Sequence, residues 1–176
     1  MVSPLVTLAR STDPTGHTIL DLKYCGEHTP MMHSLNNLRY RAHRAGWDVR
    51  RETEHMLHKR RGELIHRQSV RLGVIMDNEV ESGSTYTDLR SFAATLGWGE
   101  TEVLAALYLA TTPRDELGYK ERLIVCHRPI GLRRGDNPRI LPYCTCFIPG
   151  GKVIPIRVGN SRRISPSASY IFSVPD

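Results

Sequence analysis

The spacing of apolar residues divides the chain into a helical first two thirds and a β-rich last third. Met31, Leu35, Leu38, Ala42 and Ala45 recur on one helical face between Pro30 and Gly46, which predicts a helix. Residues 48 to about 72 contain no proline and are rich in Arg, Glu, Leu and Met. Their thin apolar seam of Met56, Leu57, Leu64, Ile65 and Leu72 reads as a second, largely polar helix. After the Gly83-Ser84-Thr85 loop, Thr87 can cap a helix with Leu89, Phe92, Ala93 and Leu96 on one face, stopped at Gly97. A further helix over about residues 100–110 presents Val103, Leu104, Leu107 and Tyr108 and ends before Pro113. These last two helices are expected to form a helical hairpin.

Beyond Gly118 the pattern shortens. Seven of the eleven prolines fall here, and β-branched and aromatic residues gather in runs over 123–126, 140–148, 152–158 and 169–174, which read as strands. Gly150-Gly151 marks a hairpin turn between the second and third, while Pro142 and Pro155 point to edge positions or bulges. The fold class that follows is α+β: an extended N-terminal segment, N-terminal basic helices and an acidic helical hairpin, followed by a C-terminal antiparallel sheet or small barrel. A chain of 176 residues fits one domain over 1–176, which composition would subdivide into 1–118, mainly helical, and 119–176, mainly β.

Composition narrows the class. Hydrophobic residues at 40% and charged residues at 24% are those of a folded chain rather than a disordered one. The longest apolar runs, such as 104–110, fall well short of the roughly 20 residues a membrane span needs. Residues 1–10 lack the basic and apolar regions of a signal peptide, so a cytoplasmic setting is expected, with Cys25, Cys126, Cys144 and Cys146 as reduced thiols.

Charge changes the picture most. The overall +6 hides net charges of −1 over 1–30, +6 over 31–73, −6 over 74–118 and +7 over 119–176, and the first basic block also holds five of the eight histidines. The acidic block contains the sharpest local pattern, Leu89-Arg-Ser-Phe-Ala-Ala-Thr-Leu-Gly-Trp-Gly-Glu-Thr-Glu-Val-Leu-Ala-Ala-Leu-Tyr108. It resembles the helix-turn-helix of phage-type repressors, with small Ala93 at the helix crossing, Gly97 at the turn and Val103 packing the second helix back. The resemblance implies that Glu100, Thr101, Glu102 and Ala105 would face the groove. Glu100 and Glu102, with Asp88, Asp115 and Glu116 near them, would meet phosphates with like charge, which argues against DNA reading by this segment.

Polyanion contact belongs instead to the basic blocks. Arg39, Arg41 and Arg44 fall on one side of the first predicted helix, Arg60 and Arg61 lie in the second, and Tyr40 and Trp47 sit close enough to stack on bases. Arg133-Arg134 and Arg162-Arg163 are paired on loops of the β-rich third, where guanidinium forks suit phosphate. These nine arginines predict a non-catalytic nucleic-acid-binding protein with a regulatory or packaging role. The alternative is a self-assembling structural subunit, such as a virion or phage-machine component, in which the acidic segment of one copy meets a basic block of the next.

Two further constellations carry weaker chemistry. Cys25-Gly-Glu-His28 together with Cys144-Thr-Cys146 could supply four zinc ligands, although a Cys-x-Cys on a strand places both thiols on one face, where Cys serves as a small buried hydrophobe. His55, His58 and His66 are flanked by Lys59, Arg60 and Arg61, which would repel a cation. Asp13 with Asp21 and Lys23 looks like the metal-binding core of restriction-type nucleases, which makes a metal-dependent nuclease the third reading. No cofactor is expected.

Overall fold

The computed structural model describes residues 6–26, 37–63 and 67–176. Eight strands form one mixed, open sheet in the order β1-β2-β4-β8-β5-β6-β7-β3. They are β1 (Val6–Thr12), β2 (Thr18–Tyr24), β3 (Asp48–Val49), β4 (Ser69–Met76), β5 (Arg122–Leu132), β6 (Leu141–Phe147), β7 (Lys152–Arg157) and β8 (Ala168–Ser173). Among the described residues five helices accompany them: α1 (Leu38–Arg44), α2 (Arg51–His58), α3 (Tyr86–Thr95), α4 (Val103–Thr111) and α5 (Arg114–Leu117).

The period-two alternation of the strands builds two cores, one on each face of the sheet. Leu20, Leu22, Leu72, Val74, Leu123, Val125, Tyr143, Phe147 and Ile171 point to the face covered by α1, α2 and α4. Ile19, Ile75, Ile124, Cys126, Cys144, Cys146, Tyr170 and Phe172 point to the face covered by α3. All nine residues of α4 are buried, because α4 lies between the sheet and α1; a helix apolar all round has no side left for solvent.

This architecture corrects the fold expected from sequence. The sheet is neither confined to the C-terminal third nor closed into a barrel, and it is not purely antiparallel: β5 pairs parallel with β8, and β3 with β7. The long polar helix expected over 48–72 is broken into β3, α2, a 3-10 turn at Arg61–Glu63 and the first half of β4. Strand β4 lies inside the sheet between β2 and β8. Its Leu72, Gly73, Val74 and Ile75 are buried on both faces, and such a run carries no alternation to betray a strand. The expected first helix is present as α1, while Met31 and Leu35 lie outside the described residues.

The helical hairpin is also overturned, since α3 and α4 pack on opposite faces of the sheet. Helix α3 is capped by Thr85 rather than Thr87, and Gly97, at a φ of 78°, ends it in the left-handed region that glycine tolerates. The chain then passes through the plane of the sheet. Strands β5 and β8 pair only over Arg122–Val125 and Ala168–Ile171. Beyond that the connecting segment fills the gap, with Gly99 bridging Ser173 and the Thr101 amide donating to the Cys126 carbonyl at 2.9 Å.

Candidate nucleic-acid interface

The groove-facing positions implied by the helix-turn-helix resemblance are consumed within the fold. Glu100 pairs with Arg90 at 2.7 Å and Glu102 with Arg67 at 3.0 Å. Thr101 and Ala105 are buried. A segment that crosses a sheet cannot also lie in a major groove, so this resemblance is one of sequence alone.

The nine candidate arginines separate into three groups. Arg39 and Arg44 are exposed on α1, Arg39 paired with Glu54 of α2 at 3.6 Å and Arg44 with its guanidinium 5.8 Å from the exposed Tyr40 ring. Arg41 is half-buried beside them. Trp47, expected among the stacking groups, is a core residue: it is buried, its indole N–H donates to the Thr112 carbonyl, and it meets Phe147 edge-on. Arg162 and Arg163 lie on the other side of the sheet, in the crossover from β7 to β8. There the Arg162 carbonyl accepts from the Tyr86 amide, Arg163 bridges Thr85, and both residues hold the N-terminus of α3.

The third group is drawn together from distant parts of the sequence. Strand β5 is interrupted by a bulge between Val125 and Ile130 and then hands over to the loop 133–140, every residue of which is exposed. The turn that ends α2 is fastened to the stem of this loop: Lys59 Nζ donates to the Gly131 carbonyl at 3.0 Å, and Arg60 Nη2 to the Pro129 carbonyl at 3.2 Å. Arg61 follows directly. Across the stem, the Arg134 guanidinium stands 5.8 Å from the Tyr143 ring, and Tyr143 pairs in register with Arg157 of β7.

One end of the sheet thus gathers Arg60, Arg61, Arg133 and Arg134 with Lys59, Arg128, Arg139 and Arg157, against the single loop carboxylate Asp136. The last four were not among the nine arginines expected from sequence to contact phosphate. Arg139 belongs to the same exposed loop as Arg133-Arg134, and its flanking Pro138 and Asn137, whose side chain accepts from the Arg139 amide at 3.0 Å, were a turn signal that marked it. Arg157 becomes a neighbour of the loop only through the pairing of β7 with β6, which no local pattern reveals, whereas Arg128 lies on β5 itself, in the bulged stretch before the loop.

The remaining constellations are not assembled as sites. Asp13 caps the β1–β2 turn, accepting from the Thr15 and His17 amides at 3.0 and 2.8 Å, whereas Asp21 lies on β2 and pairs with Arg71 of β4 at 3.7 Å. The two carboxylates expected to share a metal therefore have separate partners. Cys25 is exposed at the end of β2, while Cys144 and Cys146 are buried on the α3 face. Burial pushes the Cys144 thiol up to about 12 and the Cys146 thiol to about 11, so both are protonated at neutral pH. His28 and His66 lie outside the described residues. Among the described residues no group of three or more metal-ligating side chains is close enough to hold an ion. No helix among them is long and apolar enough to cross a membrane.

Compared with family models, curated proteins and solved structures, the chain matches none of them.

Proposed function

We propose that the chain binds nucleic acid, without catalysis, through the end of the sheet formed by the β5–β6 loop, the C-terminal turn of α2 and the end of β7. The observation that carries this reading is the pair of hydrogen bonds from Lys59 and Arg60 to the carbonyls of Gly131 and Pro129, which clamp one basic block against the other. Cations held on a rigid stem lose little freedom when they meet a phosphate, and guanidinium forks take phosphate oxygens in pairs. The exposed loop Arg133-Arg134-Gly-Asp-Asn-Pro-Arg139 then offers a projecting strip of positive charge. The α1 arginines, partly neutralised by Glu54, are accessory to it.

Binding of a nonspecific duplex, followed by fluorescence anisotropy over a range of salt, tests the reading. Wild-type affinity should fall steeply with salt, and the Arg133→Ala/Arg134→Ala variant should lower the slope of log K against log salt by about 2. An Arg162→Ala/Arg163→Ala variant, altered on the opposite face, should change the slope far less. No binding at low ionic strength, or equal effects of the two variants, would remove the reading.

A further inference from the structure

At the end of the β5–β6 pair away from the basic loop, a cavity of about 290 Å³ lies between α5, the start of β5 and the β6–β7 turn. Its volume is at the lower limit of ligand pockets, roughly 300–1,000 Å³, so an occupant must be small. Trp47 and Phe147 line it, edge-on to each other with ring centroids 5.0 Å apart, and Tyr119 lines it as well. The charged residues of its wall are Arg114, Asp115 and Glu121.

Glu121 decides what this cavity can hold. Its Oε2 is buried and has no hydrogen-bond partner, and neither Glu121 nor Asp115 forms an ion pair among the described residues. An ionised carboxylate can only accept, and burying it without an opposite charge costs far more than burying a neutral polar group. Arg114 is engaged elsewhere: its Nη2 donates to the Pro149 carbonyl, and its Nη1 stands against Gly151, where a Cβ would lie 2.8 Å away. Arg10 does not line the cavity; it donates to the carbonyls of Glu116 and Leu117, with its guanidinium 5.2 Å from the Tyr119 ring. One cation against two carboxylates leaves the wall one negative charge in excess.

We infer that this cavity binds a small organic ammonium ion with an apolar body, whose N–H groups donate to Glu121 Oε2 and whose body lies against Trp47 and Phe147. A cation supplies the missing donor and the missing charge together, and aromatic walls attract cations, tryptophan most strongly. A neutral donor would satisfy the oxygen but leave the charge uncompensated, and an anion would meet two carboxylates. A hard metal ion calls for about six or more oxygen ligands, whereas this wall offers two carboxylates among three aromatic rings.

Isothermal titration calorimetry of the full chain with phenethylammonium tests the inference. A ligand of this size should bind with a Kd of about 10 mM or tighter. Phenethyl alcohol, which has the same shape without the charge, and the anion phenylpropionate should each bind at least about tenfold more weakly. Glu121→Gln keeps the shape and removes the charge, and it should weaken phenethylammonium by at least about tenfold with an unchanged circular dichroism spectrum. Glu116→Gln, on α5 but outside the cavity wall, should leave the affinity as it is. Of the two indole N–H resonances, that of Trp47 should shift on binding and that of Trp98 should not. The comparison of amine with alcohol uses the unaltered chain, so it decides the matter whatever Glu121→Gln does to folding. Equal binding of amine and alcohol, an affinity untouched by Glu121→Gln in the folded variant, or an unmoved Trp47 resonance overturns the inference, as does the absence of saturable binding.

Discussion

The Thr101 amide donates to the carbonyl of Cys126 at 2.9 Å, and that bond lies in the passage that carries the chain from the α3 face of the sheet to the α4 face. The same residue's hydroxyl is buried and has no hydrogen-bond partner among the described residues. A buried hydroxyl without a partner costs about 1–3 kcal/mol in desolvation, so Thr101→Val, which keeps the shape and the amide, should stabilise the chain by about 1 kcal/mol. Thr101→Pro removes the amide and should destabilise by about 3 kcal/mol or more. Urea denaturation distinguishes these outcomes; a stabilised proline variant would mean that the passage does not depend on this bond.

Gly73, in the middle of β4, leaves the space that Trp98 occupies. A Cβ at this position would stand 2.4 Å from the nearest indole carbon, and three ring atoms lie within 2.7 Å. The ring is stiff and is held in a T-shaped contact with His17, their centroids 5.3 Å apart, so it cannot simply swing aside. Gly73→Ala should destabilise by about 1–3 kcal/mol through overpacking. Pairing it with Trp98→Leu should give less than the sum of the two single effects, because the indole is the obstacle.

Much of the local structure was legible because its signals are local. Gly97, Pro113 and Gly150-Gly151 bound elements in the sequence close to where they bound them in the fold, the start of α3 was expected two residues late at Thr87, and the four C-terminal runs became β5 to β8. Strand β5 extends well past Cys126, since the bulge after Val125 hides its continuation to Leu132 behind the polar His127-Arg128-Pro129. What could not be read was anything set by partners distant in the chain. Ser69–Met76 becomes a strand because β2 and β8 flank it, and α3 and α4 separate because the ends of β5 and β8 diverge. The candidate interface was half legible: Arg133-Arg134 stood out as a pair on a loop, but their junction with Lys59 and Arg60 depends on where α2 ends over the sheet.

The start of α3 is held by a reciprocal cap. The Asp88 carboxylate accepts from the Thr85 amide at 2.8 Å and from its hydroxyl at 3.0 Å, while the Asp88 amide reaches back to the Thr85 hydroxyl at 3.3 Å. Thr85→Ala should therefore cost about 1 kcal/mol. The hydrogen bonds from Thr85 also hold the Asp88 carboxyl below its usual value of 3.8. Its contribution is present above that value and is lost as the pH falls through the lower, folded one. In Thr85→Ala the acid limb of the stability profile should be shallower below about pH 4, as melting temperatures across that range would report.

His127 is completely buried on β5, in the stretch where the strand bulges. Its Nδ1 lies 2.9 Å from the Arg128 carbonyl and its Nε2 lies 3.0 Å from the Thr145 hydroxyl, which is the arrangement of a neutral ring with the proton on Nδ1, donating to the first and accepting from the second. Burial pushes the imidazole pKa down from 6.5 to about 4. The unfolded chain therefore binds a proton at this residue before the folded chain does. The stability it supports is complete above about pH 6.5, declines as the pH falls from about 6.5 to about 4, and changes no further below that. Across that window the loss from this one residue is about 3 kcal/mol. His127→Gln can keep both hydrogen bonds but cannot titrate, so urea midpoints at pH 7 and pH 4.5 should converge in the variant and stay apart in the wild type. An equal pH dependence in both proteins would place the acid sensitivity elsewhere.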